Sequence, residues 1–152
     1  YLSHLYYGAK KVFWYEMADE PFGPNNPESF FGILRFNESL SVKPSAVAFS
    51  NMVNNYRHAI PVGKYIGQSY GFAYDNQGKN QLCLWTEKDS KEETLYLPNT
   101  KKVNVIDIFG RVQQLKVING KVVITIGYLP ITITGFDQDD FTGLYTPRKV
   151  VK

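Results

Sequence analysis

The spacing of hydrophobic and polar positions along this 152-residue chain changes near residue 63, from a helical period before it to a period of two after it. At the start of the sequence, Leu2, Leu5 and Tyr6 have i, i+3, i+4 spacing, and Gly8 stands where a helix would end. This pattern predicts the end of a helix.

A second helix is predicted from Pro44, because proline suits the first helical position, where its missing N–H needs no partner. One apolar face is formed at helical spacing by Phe49, Met52, Val53 and Tyr56. The helix is expected to end before Pro61. Residues 30–36 predict a short extended segment or hairpin, with a turn at 37–39.

Between the two predicted helices lies an apolar run without a polar break. The run is Val12-Phe13-Trp14-Tyr15, and the acidic residues Glu16, Asp19 and Glu20 follow it. Such a run predicts a strand buried on both faces, as in a parallel sheet covered by helices. In a parallel α/β barrel, the carboxyl ends of the strands carry the active site. The acidic residues therefore stand where a site would be expected.

Seven strands are predicted after residue 63, where apolar and polar residues alternate. They span residues 70–74, 81–87, 94–97, 102–109, 111–117, 121–126 and 131–134. Asn119-Gly120 is the strongest hairpin signal between them. Seven short strands without a helix predict an antiparallel sandwich or half-barrel. Pro61-Val62-Gly63 predicts the boundary before it. The mixed charges of residues 137–152 predict a tail that is loosely ordered or leads into further sequence.

Composition narrows the class of protein. Hydrophobic residues make up 43% of the chain and charged residues 20%, which is normal for a globular protein. The net charge is +3, and lysine and arginine cluster no further than the pairs Lys10-Lys11 and Lys101-Lys102, so nucleic acid is not an expected partner. No apolar run is long enough for a membrane span, so a membrane is not expected either.

Length adds a further expectation. A whole (β/α)₈ barrel takes about 250 residues, so a barrel strand at 12–15 implies that most of the barrel lies outside this chain. Tyr1 falls inside a helical pattern that has no start signal before it. We therefore expect the chain to be the carboxyl-terminal piece of a longer protein.

Four segments, taken in order, carry a resemblance to a known group of enzymes. They are Val12-Phe13-Trp14-Tyr15-Glu16 with Asp19, Phe31-Gly32-Ile33-Leu34-Arg35 with Lys43-Pro44-Ser45-Ala46, Val105-Ile106-Asp107-Ile108-Phe109-Gly110, and Pro130-Ile131-Thr132-Ile133-Thr134-Gly135. The chain resembles the carboxyl-terminal third of retaining (β/α)₈ glycoside hydrolases, the group of cellulases, β-xylosidases and their relatives. The resemblance implies an α/β barrel fragment (the last βα unit of a TIM barrel) at residues 1–62, an all-β antiparallel sandwich at 63–136 and a tail at 137–152.

The resemblance also implies a reaction. Retaining glycoside hydrolases cleave O-glycosidic bonds of oligo- or polysaccharides with two carboxylates about 5 Å apart, one acid/base and one nucleophile. In this group the pair comes from the fourth and seventh strands, which would precede Tyr1. We therefore expect no catalytic residue in this chain, no metal or other cofactor, and no activity of the chain alone. The implied partners are a carbohydrate substrate and the missing N-terminal part of the barrel, or an oligomer that replaces it, in a secreted or periplasmic protein.

Three residues are expected to bind the substrate. Strand alternation places Trp14 and Glu16 on one face, where Trp14 would stack on a sugar ring and Glu16 would reach a sugar hydroxyl. Asp19 would line the mouth of the site. The structural alternatives are that Trp14 belongs to the core, that Glu16 caps a helix or pairs with an arginine, and that Asp19 belongs to a solvated loop.

Two other functions remain open for the β-domain. A non-catalytic carbohydrate-binding module is indicated if its aromatic residues form an exposed platform; the candidates are Tyr65, Tyr70, Tyr74, Trp85, Tyr96 and Tyr128. A structural domain that supports the barrel is indicated if they are buried, and the short linker favours this alternative. Cys83 is predicted to be a small buried residue and not a nucleophile. A histidine metal site (His4, His58) and a calcium site (Asp137, Asp139, Asp140) both lack suitable ligand spacing.

Overall fold

A computed structural model describes residues 1–21, 23, 25–87 and 89–149 of the chain. The helices are α1 (Leu2–Tyr6), α2 (Pro44–Tyr56) and α3 (Gln138–Thr142), with a 3₁₀ turn at Pro27–Phe30. The strands are β1 (Ile60–Tyr65), β2 (Tyr70–Asn76), β3 (Lys79–Trp85), β4 (Lys91–Tyr96), β5 (Lys102–Ile106), β6 (Val112–Lys116), β7 (Lys121–Ile126), β8 (Ile131–Thr134) and β9 (Tyr145–Pro147). Within the described residues, no helix is long and apolar enough to cross a membrane.

The chain forms two compact units, an N-terminal unit of residues 1–54 and a C-terminal unit of residues 55–152. The sequence placed the boundary at 62–63, inside what the structure shows to be strand β1. The N-terminal unit contains α1, the 3₁₀ turn and most of α2, and the C-terminal unit is mostly antiparallel β-sheet. Each unit is described by itself.

The N-terminal unit confirms both predicted helices, and of the predicted extended segment or hairpin it contains the hairpin, paired through the isolated bridge between Leu34 and Val42. The hairpin brings Ile33 beside Lys43, whose backbone N–H donates to the Ile33 carbonyl at 3.1 Å. Its turn is held by the Asn37 side chain, which accepts from the Ser41 N–H at 2.9 Å. Leu40 takes a positive φ of 46°, which closes the turn. Helix α2 begins at Pro44, as its sequence predicted.

The prediction of a buried strand at residues 12–15 is wrong for this unit. None of these residues is in a strand, and the side chains of Phe13 and Tyr15 are 86% and 64% exposed. Backbone pairing starts only beyond the run, where the Leu34 N–H donates to the Met17 carbonyl at 3.0 Å and the Asp19 N–H to the Leu34 carbonyl at 2.9 Å. An apolar run shows what side chains prefer; burial also needs elements on both sides.

The C-terminal unit contains all seven predicted strands, as β2 to β8. It also contains two strands that were not predicted. The first, β1, includes the predicted linker: Pro61 lies where the pairing with β2 shifts register, and Gly63 is packed so closely that an added Cβ would lie 2.0 Å from the Tyr145 ring. Proline and glycine therefore mark a bulge and a close contact here and not a linker.

The second unpredicted strand, β9, corrects the prediction of a loosely ordered tail for residues 137–147; residues 150–152 of the predicted tail lie outside the described residues. Residues 137–147 contain α3 and β9, and β9 pairs with β1 from Gly63 opposite Pro147 to Tyr65 opposite Tyr145. Helix α3 is capped by Asp137, whose carboxylate accepts from the Asp139 N–H at 2.9 Å. Phe141 in α3 is buried in the core. The charged residues of this segment thus belong to an ordered element, in which Asp140 is buried.

The strands form two antiparallel sheets around one core. The larger sheet has the order β6-β5-β8-β3-β2-β1-β9, and the smaller one pairs β4 with β7. Both contribute inward-facing side chains to the same cluster, which includes Leu82, Leu84, Val103 and Ile133 from the larger sheet and Leu95, Val122, Ile124 and Ile126 from the smaller one. The period of two that predicted the strands is the period at which they enter this core.

Two buried carboxylates hold the loops around β4. Glu93 accepts from the Tyr65 hydroxyl at 3.0 Å, from the Gln68 N–H at 3.0 Å and from the Ser69 hydroxyl at 2.6 Å. Asp140 accepts from the Thr100 N–H and hydroxyl, both at 2.7 Å. Because hydrogen bonds to a buried charge are strong, these carboxylates fix the positions of the loops that they join.

Candidate functional site

Trp14 lies half-exposed on the surface of the N-terminal unit. Its ring stacks on Tyr1, with the centroids 5.8 Å apart and the planes 6° from parallel. The ring centroid of Phe49 in α2 is 6.0 Å from that of Trp14, and the indole N–H donates to the Phe31 carbonyl at 3.2 Å. These contacts fix the ring orientation while 43% of the residue stays accessible. The ring is therefore held in place with surface left for another group.

Glu16 follows Trp14 by two residues and is half-buried. The peptide bond between Tyr15 and Glu16 is cis. The backbone carbonyls of Glu16 and Met17 accept from the Ile33 N–H at 3.3 Å and 3.2 Å. Residues 16–19 thus run beside residues 33–34, and the Oε1 atom of the Glu16 carboxylate is buried.

Asp19 lies at the end of this paired segment and forms an ion pair with Lys43. Its carboxylate also accepts from the Gly32 N–H at 3.1 Å. Lys43 donates to the carbonyls of Phe30 at 3.1 Å and Gly32 at 2.9 Å. One ion pair therefore connects three segments of the unit, and Asp19 acts in this structure as their junction.

Gly32 is required by this arrangement. A Cβ added there would lie 2.1 Å from the Asp19 backbone nitrogen and 2.2 Å from the Ala18 carbonyl carbon, distances at which something must shift. Sequence reasoning missed the roles of Gly32 and Lys43. The Asp19–Lys43 pair joins residues that are far apart in the sequence, and a local sequence pattern does not predict such a pair.

The C-terminal unit does not assemble its aromatic residues into one platform. Tyr65 and Tyr74 are buried, and the Tyr65 hydroxyl is occupied by Glu93. Tyr70 stacks on Trp85, with the centroids 6.1 Å apart, on the larger sheet. Tyr96 belongs to the smaller sheet and carries the Lys121 ammonium 5.1 Å from its ring centroid, while Tyr128 follows β7 and is exposed. The six predicted residues are thus divided between core and separate surfaces.

Two buried titratable groups, Tyr56 at the end of α2 and Cys83 in β3, belong to the packing of the C-terminal unit. The Tyr56 hydroxyl lies 2.7 Å from the Thr132 hydroxyl, and the Tyr56 ring meets Tyr74 edge-on. Burial raises the pKa of the Cys83 thiol to about 12, so the thiolate needed of a nucleophile is not formed at neutral pH. The prediction that Cys83 is a buried packing residue is confirmed.

The described part of the chain places no three histidine, cysteine, aspartate or glutamate side chains together as metal ligands. The three acidic residues weighed for calcium have separate positions. Asp137 caps α3, Asp140 points into the turn at Asn99 and Thr100, and Asp139 is exposed in the first turn of α3.

Comparison with solved structures gives a significant similarity. The chain is similar to part of a family 39 glycoside hydrolase from the gut symbiont Bacteroides cellulosilyticus WH2, with a TM-score of 0.70 and 26% sequence identity. The match covers 82% of this chain and 26% of the hydrolase chain, so this chain spans about a quarter of the structure that it matches. No protein-family model matches the sequence, and a search of curated proteins gave no match.

Proposed function

We propose that this chain is the carboxyl-terminal portion of a retaining glycoside hydrolase that acts on O-glycosidic bonds of oligo- or polysaccharides. The observation that carries the proposal is the similarity over 82% of the chain to a family 39 glycoside hydrolase, at a TM-score of 0.70. A likeness at 26% identity supports relatedness beyond a shared architecture. Fold alone does not establish an activity, so the site residues must be tested separately.

The exposed apolar side chains of the N-terminal unit support the proposal that further barrel elements cover this surface. Large apolar side chains are exposed along the segment predicted as a barrel strand and its neighbours; they include Phe13, Tyr15, Met17, Phe30 and Phe31. Large apolar side chains that stay exposed in this number are consistent with a surface that other elements cover. In the proposed protein, residues 1–62 belong to the carboxyl-terminal end of the barrel, and residues 44–56 form its last helix. The rest of the barrel covers this surface, or an oligomer replaces it.

The reaction in the proposed protein depends on two carboxylates outside this chain. One protonates the leaving oxygen, and the other attacks the anomeric carbon to give a glycosyl-enzyme, which water then hydrolyses. This chain contributes to sugar binding. The exposed part of the Trp14 ring offers an apolar surface to the C–H groups of a pyranose, and the Glu16 carboxylate accepts from a hydroxyl. Asp19 holds the segment in place through Lys43.

The division of the aromatic residues in the C-terminal unit favours a supporting role over a sugar-binding module. Tyr65 and Tyr74 are committed to packing, and Tyr70, Tyr96 and Tyr128 lie on different parts of the unit. A binding platform for a polysaccharide would need several of these rings on one face. We therefore assign the C-terminal unit to support of the barrel.

Two measurements test the proposal. The 152-residue chain and the protein extended by the coding sequence upstream of Tyr1 are assayed on aryl β-glycosides, with the product anomer followed by NMR. We expect turnover with retention from the extended protein and none from the 152-residue chain. In the extended protein, Glu16→Gln should raise KM or lower kcat/KM by at least about tenfold, whereas the exposed-turn control Glu38→Gln should not. Turnover by the 152-residue chain that is lost in Glu16→Gln would show that the catalytic residues have been misplaced.

A further inference from the structure

Lys43 lies at the centre of the hydrogen bonds that order residues 30–33 of the N-terminal unit. Its side-chain ammonium donates to the carbonyls of Phe30 at 3.1 Å and Gly32 at 2.9 Å, and it pairs with the Asp19 carboxylate. An ammonium has three N–H donors, so these three acceptors saturate it. Lys43 therefore has no donor left for a sugar hydroxyl.

The two carbonyls that Lys43 binds stand on either side of Phe31 in the sequence. The Phe31 carbonyl between them accepts from the indole N–H of Trp14 at 3.2 Å. Hydrogen bonds from a charged donor are about twice as strong as those between neutral groups. The bonds from the ammonium to residues 30 and 32 therefore set the position of the carbonyl to which Trp14 is bound.

The same short segment also holds Glu16. The Ile33 N–H donates to the carbonyls of Glu16 at 3.3 Å and Met17 at 3.2 Å. The Ile33 carbonyl accepts from the backbone N–H of Lys43 at 3.1 Å. The side chain and the backbone of Lys43 thus fix both ends of residues 30–33, the segment to which the Trp14 ring and the Glu16 backbone are joined.

We propose that Lys43 is a positioning residue for sugar binding, which holds the Trp14 ring and the Glu16 backbone in one arrangement through residues 30–33. The inference rests on the proposed function, because that function assigns the sugar contacts to Trp14 and Glu16. Lys43 itself touches no sugar, since its donors are used within the protein. It therefore contributes to the binding of the sugar and not to bond cleavage.

Partial burial makes the ion pair difficult to replace by water. The side chains of Lys43 and Asp19 are only 17% and 11% exposed. Loss of the ammonium would leave a carboxylate and two backbone carbonyls without their donor, and such groups cost free energy unless they turn toward water. Residues 30–33 should then rearrange, and the Trp14 ring should reorient with them.

The indole N–H of Trp14 reports this geometry directly in the 152-residue chain. The chain has two tryptophans, so two indole signals are expected in a ¹⁵N NMR spectrum, and Trp14→Phe identifies one of them. In Lys43→Met, the Trp14 indole N–H should shift and exchange with solvent at least about tenfold faster, because its acceptor moves. The Trp85 indole should be unchanged. Lys11→Met, at an exposed lysine, is the control that should leave both signals in place.

Kinetics of the extended protein on aryl β-glycosides give the second readout. When a residue that only positions binding groups is lost, KM should rise about five- to tenfold, while kcat stays within about twofold of its original value. Lys43→Gln keeps N–H donors for the two carbonyls but not the charge, so it should give a smaller change in both readouts. It also carries the test if Lys43→Met does not fold. Lys11→Met should leave KM unchanged.

The outcomes separate this inference from the proposed function. A displaced Trp14 indole together with a higher KM and a preserved kcat would support the inference. An unchanged indole signal in the Lys43 variants would overturn it, even if the extended protein hydrolyses aryl glycosides. A displaced indole with an unchanged KM, or with a kcat that falls more than KM rises, would also overturn it. A displaced indole in a protein whose extended form shows no hydrolysis would support the positioning of Trp14 by Lys43 and overturn the proposed function.

Discussion

The two units of the molecule use similar apolar residues with opposite results. In the C-terminal unit, apolar side chains from two sheets meet in one core, and several, among them Leu82, Leu84 and Ile133, are fully buried. Among the described residues of the N-terminal unit, no hydrophobic side chain is buried, and Phe13, Tyr15 and Met17 are mostly exposed. Local hydrophobicity is thus not what separates the units.

The units differ in whether each apolar segment has neighbouring elements to pair and pack with. Each strand of the C-terminal unit finds its neighbours within residues 55–152, so alternation along a strand turns directly into burial. The N-terminal unit pairs residues 17–19 with 33–34 and leaves residues 12–15 without a strand. A strand that is buried on both faces needs other elements packed on both faces. Among its described residues, the N-terminal unit pairs no strand with residues 12–15.

The largest expected effect sharpens this contrast with one substitution in each unit. Leu84→Ala removes a fully buried side chain and should cost about 2–5 kcal/mol in the free energy of unfolding. Phe13→Ala removes a larger but exposed side chain and should change it by less than about 0.5 kcal/mol. Urea unfolding of the 152-residue chain measures both. A loss for Phe13→Ala as large as that for Leu84→Ala would show that the N-terminal unit has a core of its own.

The same contrast explains how far the sequence predicts the fold. The seven strands β2 to β8 could be predicted because apolar and polar residues alternate along each of them, and this alternation is visible within a few residues of sequence. Strand β1 could not be predicted, since proline and glycine usually interrupt a strand. Only the structure shows that Pro61 lies at a register shift and that Gly63 allows the close contact with Tyr145. Residues 12–15 were predicted to be buried because they are an apolar run. The prediction failed because the sequence does not show which elements would pack against that run.

The candidate site was predictable to a similar extent. Trp14, Glu16 and Asp19 are close in the sequence, and the structure keeps them on one segment whose course is set by residues 31–34. The partners that fix them, Gly32 and Lys43, come from distant positions and could not be inferred from spacing. The segments that carry the resemblance include Gly32 and Lys43, but a sequence motif does not show that these residues contact Asp19.

The next effect tests whether the exposed Trp14 ring binds sugar in the extended protein. Trp14→Ala should cost about 2–4 kcal/mol in transition-state stabilisation, partly through lost packing on Tyr1 and Phe49. Trp14→Phe keeps a smaller ring and should cost less. Measuring kcat/KM and the melting temperature of the same variant separates binding from packing. A Trp14→Phe enzyme with full activity and a lower melting temperature would place Trp14 in the barrel core.

A smaller effect concerns the buried Glu93 of the C-terminal unit. Burial by itself raises the pKa of this carboxyl, but hydrogen bonds from Ser69, the Gln68 N–H and Tyr65 outweigh it, so the pKa is lowered. A lowered pKa in the folded state gives stability that is complete above the unfolded pKa of about 4.3 and is lost as the pH falls through the folded pKa. Unfolding free energies should therefore drop between about pH 5 and pH 3.

The matched variants isolate this contribution. Glu93→Gln should cost about 1–3 kcal/mol at pH 7, because hydrogen bonds to a charged group are lost, and should flatten the fall in stability at low pH. Glu92→Gln, an exposed neighbour on the same strand, should change little at either pH. An acid profile that is unchanged by Glu93→Gln would assign the pH dependence to other carboxyls.

The smallest expected effect lies in the N-terminal unit, where an ion pair and not a core joins the segments. Asp19→Asn keeps an acceptor for the Gly32 N–H but removes the charge that holds Lys43. We expect a loss of about 1 kcal/mol or less, because the pair is partly open to solvent. The change should appear as faster hydrogen exchange at the Gly32 amide, with no change at the core amides of β3. Glu20→Gln, one residue further on, should leave the Gly32 amide unaffected. If Asp19→Asn speeds exchange in β3 as much as at Gly32, the two units unfold together, and the contrast between them is one of exposure but not of stability.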